Sequence, residues 1–374
     1  MRLLLLSTPV GPLGSGLGGG VEATVLNLAQ VLTQRGHEVA IAAPEGSQLP
    51  SDLNSAIALI QIPGVWQPTA QTQDRGAPAV TESALASLWD YARQVQGQYD
   101  LLVNFAYDWL PFYLTPFLSV PVAHFVSMGS LSDRLDEAIA RIAIQFPGTL
   151  GAYTQFQVET FAAVNPDSWE ILGCGLDMDR YEYCDGKATP AEHRPEKFLA
   201  WAGRISPEKG LKDAISATLL AQKPLKIFGN IEDEAYWQSL QPLIAQAPKA
   251  APIQYCGFLP TAELQKELGR AQALLMTPKW AEAFGIVAIE ALACGVPVIA
   301  YRRGGPAEIV CSGKTGWLVA PDDVGALATA VERIQEIDRW GCRGEAIATY
   351  SLPVWGERFE QWFCRIVSKQ KERS

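Results

Sequence analysis

The segment that most narrows the choice of fold is RLLLLSTPVGPLGSGLGGGVEATVLNLAQVLTQRGHEVAIAAP, residues 2–44. Residues 2–8 open it with an apolar run, VEATVLNLAQVLTQ places its apolar residues at helical spacing and stops at Arg35-Gly36, and EVAIAAP returns to an apolar strand. Two strands apolar along their whole length need cover on both faces, and a helix between them supplies it, so the segment is a βαβ unit with parallel strands. Further apolar strands are expected at 101–105 (LLVNF), at 121–126 (PVAHFV) and near 149–153. After a polar, irregular segment at 175–196 the pattern starts again with FLAWAG, LKIFG, IQYCGF, ALLMTP and PVIAY. The expected fold class is α/β, with two Rossmann-like, doubly wound domains facing a cleft. The expected domains are 1–175 and 176–352, followed by a C-terminal helix at 353–374. The stretch SLPVWGERFEQWFCRIV has helical spacing, and its pattern leaves open whether it returns to the first domain.

A length of 374 residues suits two cores better than one. The formal net charge of −10, with no Lys/Arg run outside the terminal KQKERS, argues against nucleic acid as a partner. Seven cysteines are scattered without CxxC spacing, which is expected of reduced thiols in a cytoplasmic protein. The first apolar run breaks at STP before any cleavage pattern, and no window reaches the roughly 18 apolar residues that span a bilayer, so the expectation is a soluble chain.

Two stretches carry candidate chemistry. GRISPEKG, residues 203–210, lies between a strand and a helix, where free backbone N–H groups and a partial positive charge favour an anion; Arg204 and Lys209 add two full charges. A diphosphate would fit there, and pairing of these cations with Glu208 is the plainer alternative. In KWAEAFGIVAIEALACGVPVIA, residues 279–300, Phe284, Gly285 and Ile286 are expected to begin a second helix directly after the strand ALLMTP. Glu282 and Glu290 are then about 12 Å apart along the helix axis, too far for a metal pair or an acid–base dyad. That spacing suits carboxylates that accept hydrogen bonds from hydroxyls on either side of a diphosphate, against the alternative of two wet surface glutamates.

Taken as a set, Gly18–Glu22 (GGGVE), Gly203–Gly210, Glu282 with Glu290, Gly295–Pro297 (GVP), Gly304–Glu308 (GGxxE) and Lys314–Val319 (KTGWLV) resemble the retaining glycosyltransferases of family 4, which have the GT-B fold. The resemblance implies a nucleotide sugar held mainly by the second domain and an acceptor held by the first. Residue by residue, it implies that Arg204 and Lys209 hold the departing diphosphate. Glu282, with the backbone at Phe284 and Gly285, would orient the sugar, Ile286 would also belong to the donor site, and Glu290 would bind the ribose diol. Gly19 and Gly20 would lie beside the donor phosphate, and His124 near the transferred sugar, against the commoner reading of a lone His as a satisfied core side chain. It implies no cofactor and no metal, with Asp177 and Asp179 in a hinge segment rather than a metal motif. A narrower resemblance, in STPVGPLGSGLGGGVE, NFAYDWLPFYLTPF, SMGSLSD and MTPKWAEAFG, is to cyanobacterial UDP-glucose:tetrahydrobiopterin glucosyltransferases. It implies UDP-glucose as donor and the side-chain hydroxyl of a reduced pterin as acceptor. Phe105, Tyr107 and Trp109 would then stack the flat ring and Asp108 would meet its amino groups, against ordinary core packing of the aromatics.

Three other readings compete. Gly14-x-Gly16-x-x-Gly19 has dinucleotide-binding spacing, but about five residues separate it from the strand and Glu45 is poorly placed for a ribose, which disfavours a nicotinamide-dependent oxidoreductase. A membrane-surface glycosyltransferase acting on a lipid would need a cationic or apolar patch, and LSDRLDEAIARIAIQF mixes Asp133, Asp136 and Glu137 with Arg134 and Arg141. The full set of donor residues disfavours a non-catalytic sugar-nucleotide module. Oligomeric state is open.

Overall fold

The computed structural model describes residues 1–15, 19–51, 53–67, 82–183 and 196–373. Gly16, Gly18, Cys184 and most of the polar linker lie outside the described residues. The chain forms two compact units, Met1–Gly175 with Leu352–Ser374, and Leu176–Ser351.

In the first unit, strands β1 (Arg2–Leu6), β2 (Glu38–Pro44), β3 (Ala58–Ile62), β4 (Leu101–Asn104), β5 (Val122–Val126), β6 (Leu150–Ala152) and β7 (Trp169–Ile171) form one sheet in the order β3-β2-β1-β4-β5-β6-β7. All of its pairings are parallel. Leu3, Leu4, Leu5 and Leu6 have no exposed surface, as a central parallel strand requires. Helices α1 (Gly20–Gln34), α2 (Ala84–Val95), α3 (Trp109–Leu114), α4 (Asp133–Gln145) and α5 (Gln155–Glu159) accompany the sheet. Leu85, Leu88 and Trp89 of α2 close one core cluster with Leu4, Leu6 and Leu102, while Leu135, Ile139 and Ile142 of α4 close another with Val126, Leu150 and Phe161.

The second unit repeats the plan. Strands β8 (Leu199–Ala202), β9 (Leu225–Phe228), β10 (Ile253–Tyr255), β11 (Ala273–Met276), β12 (Val298–Tyr301) and β13 (Gly316–Val319) pair in parallel in the order β10-β9-β8-β11-β12-β13. Its helices are α6 (Leu211–Ala221), α7 (Glu234–Ile244), α8 (Thr261–Arg270), α9 (Ile286–Ala293), α10 (Pro306–Ile309), α11 (Val324–Glu332) and α12 (Arg339–Tyr350).

The final helix, α13 (Leu352–Arg373), belongs to the first unit. Phe359 packs on Phe125 of β5 with ring centroids 5.4 Å apart, and the indole N–H groups of Trp355 and Trp362 donate to the carbonyls of Gly173 and Gly148 at 3.1 and 2.8 Å. Glu360 bonds Arg35 and His37 just beyond α1. Among the described residues no helix is long and apolar enough to cross a membrane.

The strand runs legible in the sequence are present, most of them shortened by a residue or two, with EVAIAAP kept whole and IQYCGF reduced to Ile253–Tyr255. β3, β7 and β13 escape the apolar pattern. β3 is an edge strand with partly exposed residues, β7 has three residues with Glu170 at its centre, and β13 sits inside the KTGWLV motif.

Candidate active site

In a doubly wound sheet, ligands bind beyond the carboxyl ends of the strands where the strand order reverses. In the second unit that point lies between β8 and β11. The loop after β8 carries Arg204 and Lys209, and the loop after β11 carries Glu282.

Glycines let these loops meet. Gly210 has φ +68°, and a Cβ there would fall 1.9 Å from the Thr277 carbonyl oxygen. Thr277 Oγ1 donates to Gly210 O at 2.9 Å and the Lys279 amide donates to Glu208 O at 2.8 Å, which ties one loop to the other. The far side of the second loop is held by the GGxxE glycines. A Cβ on Gly304 would lie 2.6 Å from Glu282 N, a Cβ on Gly305 would lie 2.4 Å from Phe284 Cα, and the Gly305 amide donates to Glu282 O at 2.7 Å. Lys279 anchors the near side through Asp213 and, at 2.8 Å, Asp322. Tyr301, with no exposed surface, donates to Asp213 at 2.5 Å, and Arg303 bonds Pro278 O and Asp322.

Within this frame Lys209 Nζ lies 2.5 Å from Glu282 Oε2, and both side chains are mostly buried. Trp280 Nε1 donates to the same oxygen at 3.0 Å, and Lys209 stands 4.9 Å above the Trp280 ring centroid. Arg204 pairs with Glu232 at 2.5 Å and with Glu208 at 3.5 Å, so the Glu208 pairing considered from the sequence is present, joined by a carboxylate 28 residues away. Helices α7, α11 and α12 are capped by Asp233, Asp323 and Asp338. By contrast α6 and α9 start from Gly210 and Gly285 without a side-chain cap, which leaves first-turn N–H groups for a ligand.

Two expectations need correction here. α9 begins at Ile286, beyond the loop that follows β11, so Glu282 lies outside the helix and helical rise does not measure its distance from Glu290. Glu290, on α9, accepts a 2.9 Å hydrogen bond from Tyr181 Oη, and burial raises its carboxyl pKa. Phe284 is buried and faces Tyr350 edge-on. The second correction concerns His124.

His124 lies in the middle of β5, not at its end, and has no exposed surface. Its ring stacks on Phe112 with centroids 4.4 Å apart. Asn104, oriented by two bonds to Ala106, donates to Nδ1 at 3.3 Å, and Thr115 Oγ1, whose proton goes to Pro111 O, receives Nε2–H at 2.8 Å. The network describes a neutral core imidazole, which removes His124 from the sugar-facing residues. Burial lowers its pKa from 6.5 to about 3. Within that window the unfolded chain takes up a proton that the folded chain does not, so stability falls on acidification, by at most about 1.4 kcal/mol per pH unit. His124→Gln is expected to flatten the fall, measured as unfolding free energy against pH; an unchanged slope would rule out the neutral core imidazole.

The first unit's switch point lies between β1 and β4. Gly19 and Gly20 are exposed at the start of α1, with Gly19 at φ +57°. Phe105 has no exposed surface and packs on Phe125, so the structure corrects it from acceptor wall to core. Tyr107 donates to Gly129 O and accepts from the Leu131 amide, which bridges two loops. Asp108 caps α3 through the Leu110 amide at 3.0 Å, and burial raises its carboxyl pKa. Trp109 is half exposed and begins a row of rings with Tyr113 and Phe117. Asp177 and Asp179 stand together at a short turn where Asp177 pairs with Arg180. Among the described residues no group of three or more His, Cys, Asp or Glu side chains is placed to hold a metal.

The sequence did not flag Trp280, Lys279, Asp213 or Tyr301. Trp280 stands two residues from Glu282, which was a usable signal, whereas Asp213 and Tyr301 meet across 88 positions.

Residues 18–180 match the model described as Glycosyltransferase Family 4, and residues 187–339 match that of Glycosyl transferases group 1. A glycogen synthase of Mycobacterium tuberculosis is 30% identical over 256 residues, 61% of this chain and 59% of the relative. The match to a D-inositol 3-phosphate glycosyltransferase of Segniliparus rotundus spans 51% of that protein, so the chain covers little over half the length of these two relatives. A D-inositol 3-phosphate glycosyltransferase of Nocardia farcinica is 28% identical over 93% of this chain and 85% of its own. Anabaena HepE in complex with UDP superposes with a TM-score of 0.75 at 18% identity, covering 98% of this chain and 100% of the other. Sucrose-phosphate synthase from Thermosynechococcus elongatus does so at 0.75 and 19%, covering 99% and 100%. These likenesses establish the GT-B fold class, two Rossmann-like α/β units. By its sequence the chain is similar to family 4 glycosyltransferases over residues 18–180 and to group 1 glycosyl transferases over residues 187–339.

Proposed function

We propose that the chain transfers a hexose, with retention, from a uridine diphosphate sugar to a hydroxyl of a small acceptor, with UDP-glucose as donor and a reduced pterin such as tetrahydrobiopterin as acceptor. The observation that carries the reading is the meeting of Lys209 and Glu282 at the switch point of the second sheet, beside Arg204 and two uncapped helix starts. In the reaction the bond between the anomeric carbon and the phosphate oxygen breaks, and its electron pair leaves on the diphosphate. The acceptor oxygen bonds that carbon and gives up its proton to the departing diphosphate oxygen. Lys209 and Arg204 hold the growing negative charge, a task a divalent ion would otherwise perform. Glu282 accepts hydrogen bonds from the sugar and Glu290 from the ribose. To bind, the diphosphate must draw Arg204 from Glu232 and Lys209 from Glu282. Exposed pairs of the Arg204 kind hold each other by about 0.2–1 kcal/mol, a small cost against two charge-assisted bonds to phosphate.

UDP as the leaving group is supported by the solved complexes of Anabaena HepE with UDP and with UDP-glucose. The acceptor rests on the narrower resemblance, with Tyr107, Asp108 and the half-exposed Trp109 as its surface. The test is incubation with UDP-glucose and tetrahydrobiopterin under reducing conditions with a chelator, following UDP and the pterin mass together. The expected result is a pterin heavier by one hexose with matching UDP. UDP release with an unchanged pterin would reopen the acceptor, and no binding of UDP by calorimetry would overturn the donor.

A further inference from the structure

Resting on the donor reading above, we infer that Trp280 is a positioning residue that locks one oxygen of Glu282 and thereby turns the other toward the transferred sugar. Both protein donors to Glu282, Lys209 Nζ at 2.5 Å and Trp280 Nε1 at 3.0 Å, fall on Oε2. Among the described residues no protein donor reaches Oε1, which is the oxygen left for a ligand hydroxyl.

The indole can do this because its own backbone is held on both sides. Lys279 before it is fastened to Asp213 and Asp322, and Glu282 after it is pressed onto Gly304 and Gly305. The ring serves a second partner. Lys209 stands 4.9 Å above its centroid, within range of a cation–π attraction, so a single side chain sets the place of the cation and of the carboxylate together. The N–H fixes the carboxylate plane and the ring face fixes the ammonium. These two roles separate by substitution.

Trp280→Phe keeps a ring face and removes the N–H. A hydrogen bond to a charged group is worth about tenfold or more in an equilibrium, so kcat with UDP-glucose is expected to fall about tenfold while KM stays within about twofold. Trp280→Leu removes the face as well, and UDP affinity is expected to drop several-fold in addition. An unchanged kcat in the Phe variant would overturn the inference.

A measurement independent of turnover uses protein labelled with 15N at tryptophan. The indole signal that vanishes in Trp280→Phe identifies Trp280, and Glu282→Gln should move that signal in the protein without substrate. An unmoved signal overturns the inference even if the Phe variant, folded well enough to give the assignment, is inactive. Failure of the donor reading is recognised separately, as an unsubstituted protein that does not bind UDP.

Discussion

Lys209→Ala is expected to lower turnover of the nucleotide sugar by about 100- to 1000-fold, the usual loss when a fixed donor aimed at developing transition-state charge is removed. Lys209 sits on the short turn Pro207–Lys209, and the glycine after it hands the chain to α6, so the ammonium is delivered from backbone held by the Gly210–Thr277 contact. The variant should still fold. The side chain contributes only the pair with Glu282 and the contact over Trp280, and Glu282, left without its cation, keeps the indole N–H. Lys209→Arg should recover little, because a planar fork cannot take the place of a compact ammonium between a carboxylate and a ring face. Measurement of kcat and of UDP affinity side by side decides the matter. A loss larger in kcat than in UDP binding places the charge at the breaking bond, an equal loss in both makes Lys209 a uniform phosphate contact, and unchanged turnover removes it from the mechanism.

How far the sequence shows this arrangement depends on which interactions are local. The long parallel strands are legible because burial on both faces leaves continuous apolar runs such as Leu3–Leu6, whereas the edge strand Ala58–Ile62 and the three-residue Trp169–Ile171 leave no such trace. The paired cations Arg204 and Lys209 were visible because a strand, a short loop and a helix lie close together along the chain. What decides their partners is distant, as with Arg204 and Glu232, Lys209 and Glu282, or Tyr301 and Asp213. His124 illustrates the reverse error. A lone histidine has the residue type that chemistry needs, and only the positions of Asn104, Thr115 and Phe112 around it reveal a core side chain. Phe105 fails for the same reason, since ring chemistry says nothing about which face is covered.

The C-terminal helix carries the other large effect. Its pattern gives an amphipathic helix without an address, and the address is written in four large side chains, Trp355, Phe359, Trp362 and Phe363, all buried in the first unit. Trp355 is the tightest of these. It has no exposed surface, its indole N–H satisfies the Gly173 carbonyl, and its ring occupies the space a Cβ on Gly175 would need, 2.5 Å from the nearest ring atom. Trp355→Ala therefore opens a cavity and orphans a carbonyl, and it should cost about 3–5 kcal/mol, a large part of the roughly 5–15 kcal/mol that stabilises a domain. The loss should be confined to the first unit, because the residues touched, Gly173 and Gly175 with Phe359 beside them, all belong to it. Hydrogen exchange resolves this. Amides of β1, β4 and β5 are expected to exchange through opening that is easier by that amount, while those of β8, β11 and β12 keep their protection. Equal loss of protection in both sheets would mean that the two units unfold as one, and no loss in either would mean that α13 is not part of the first unit's core.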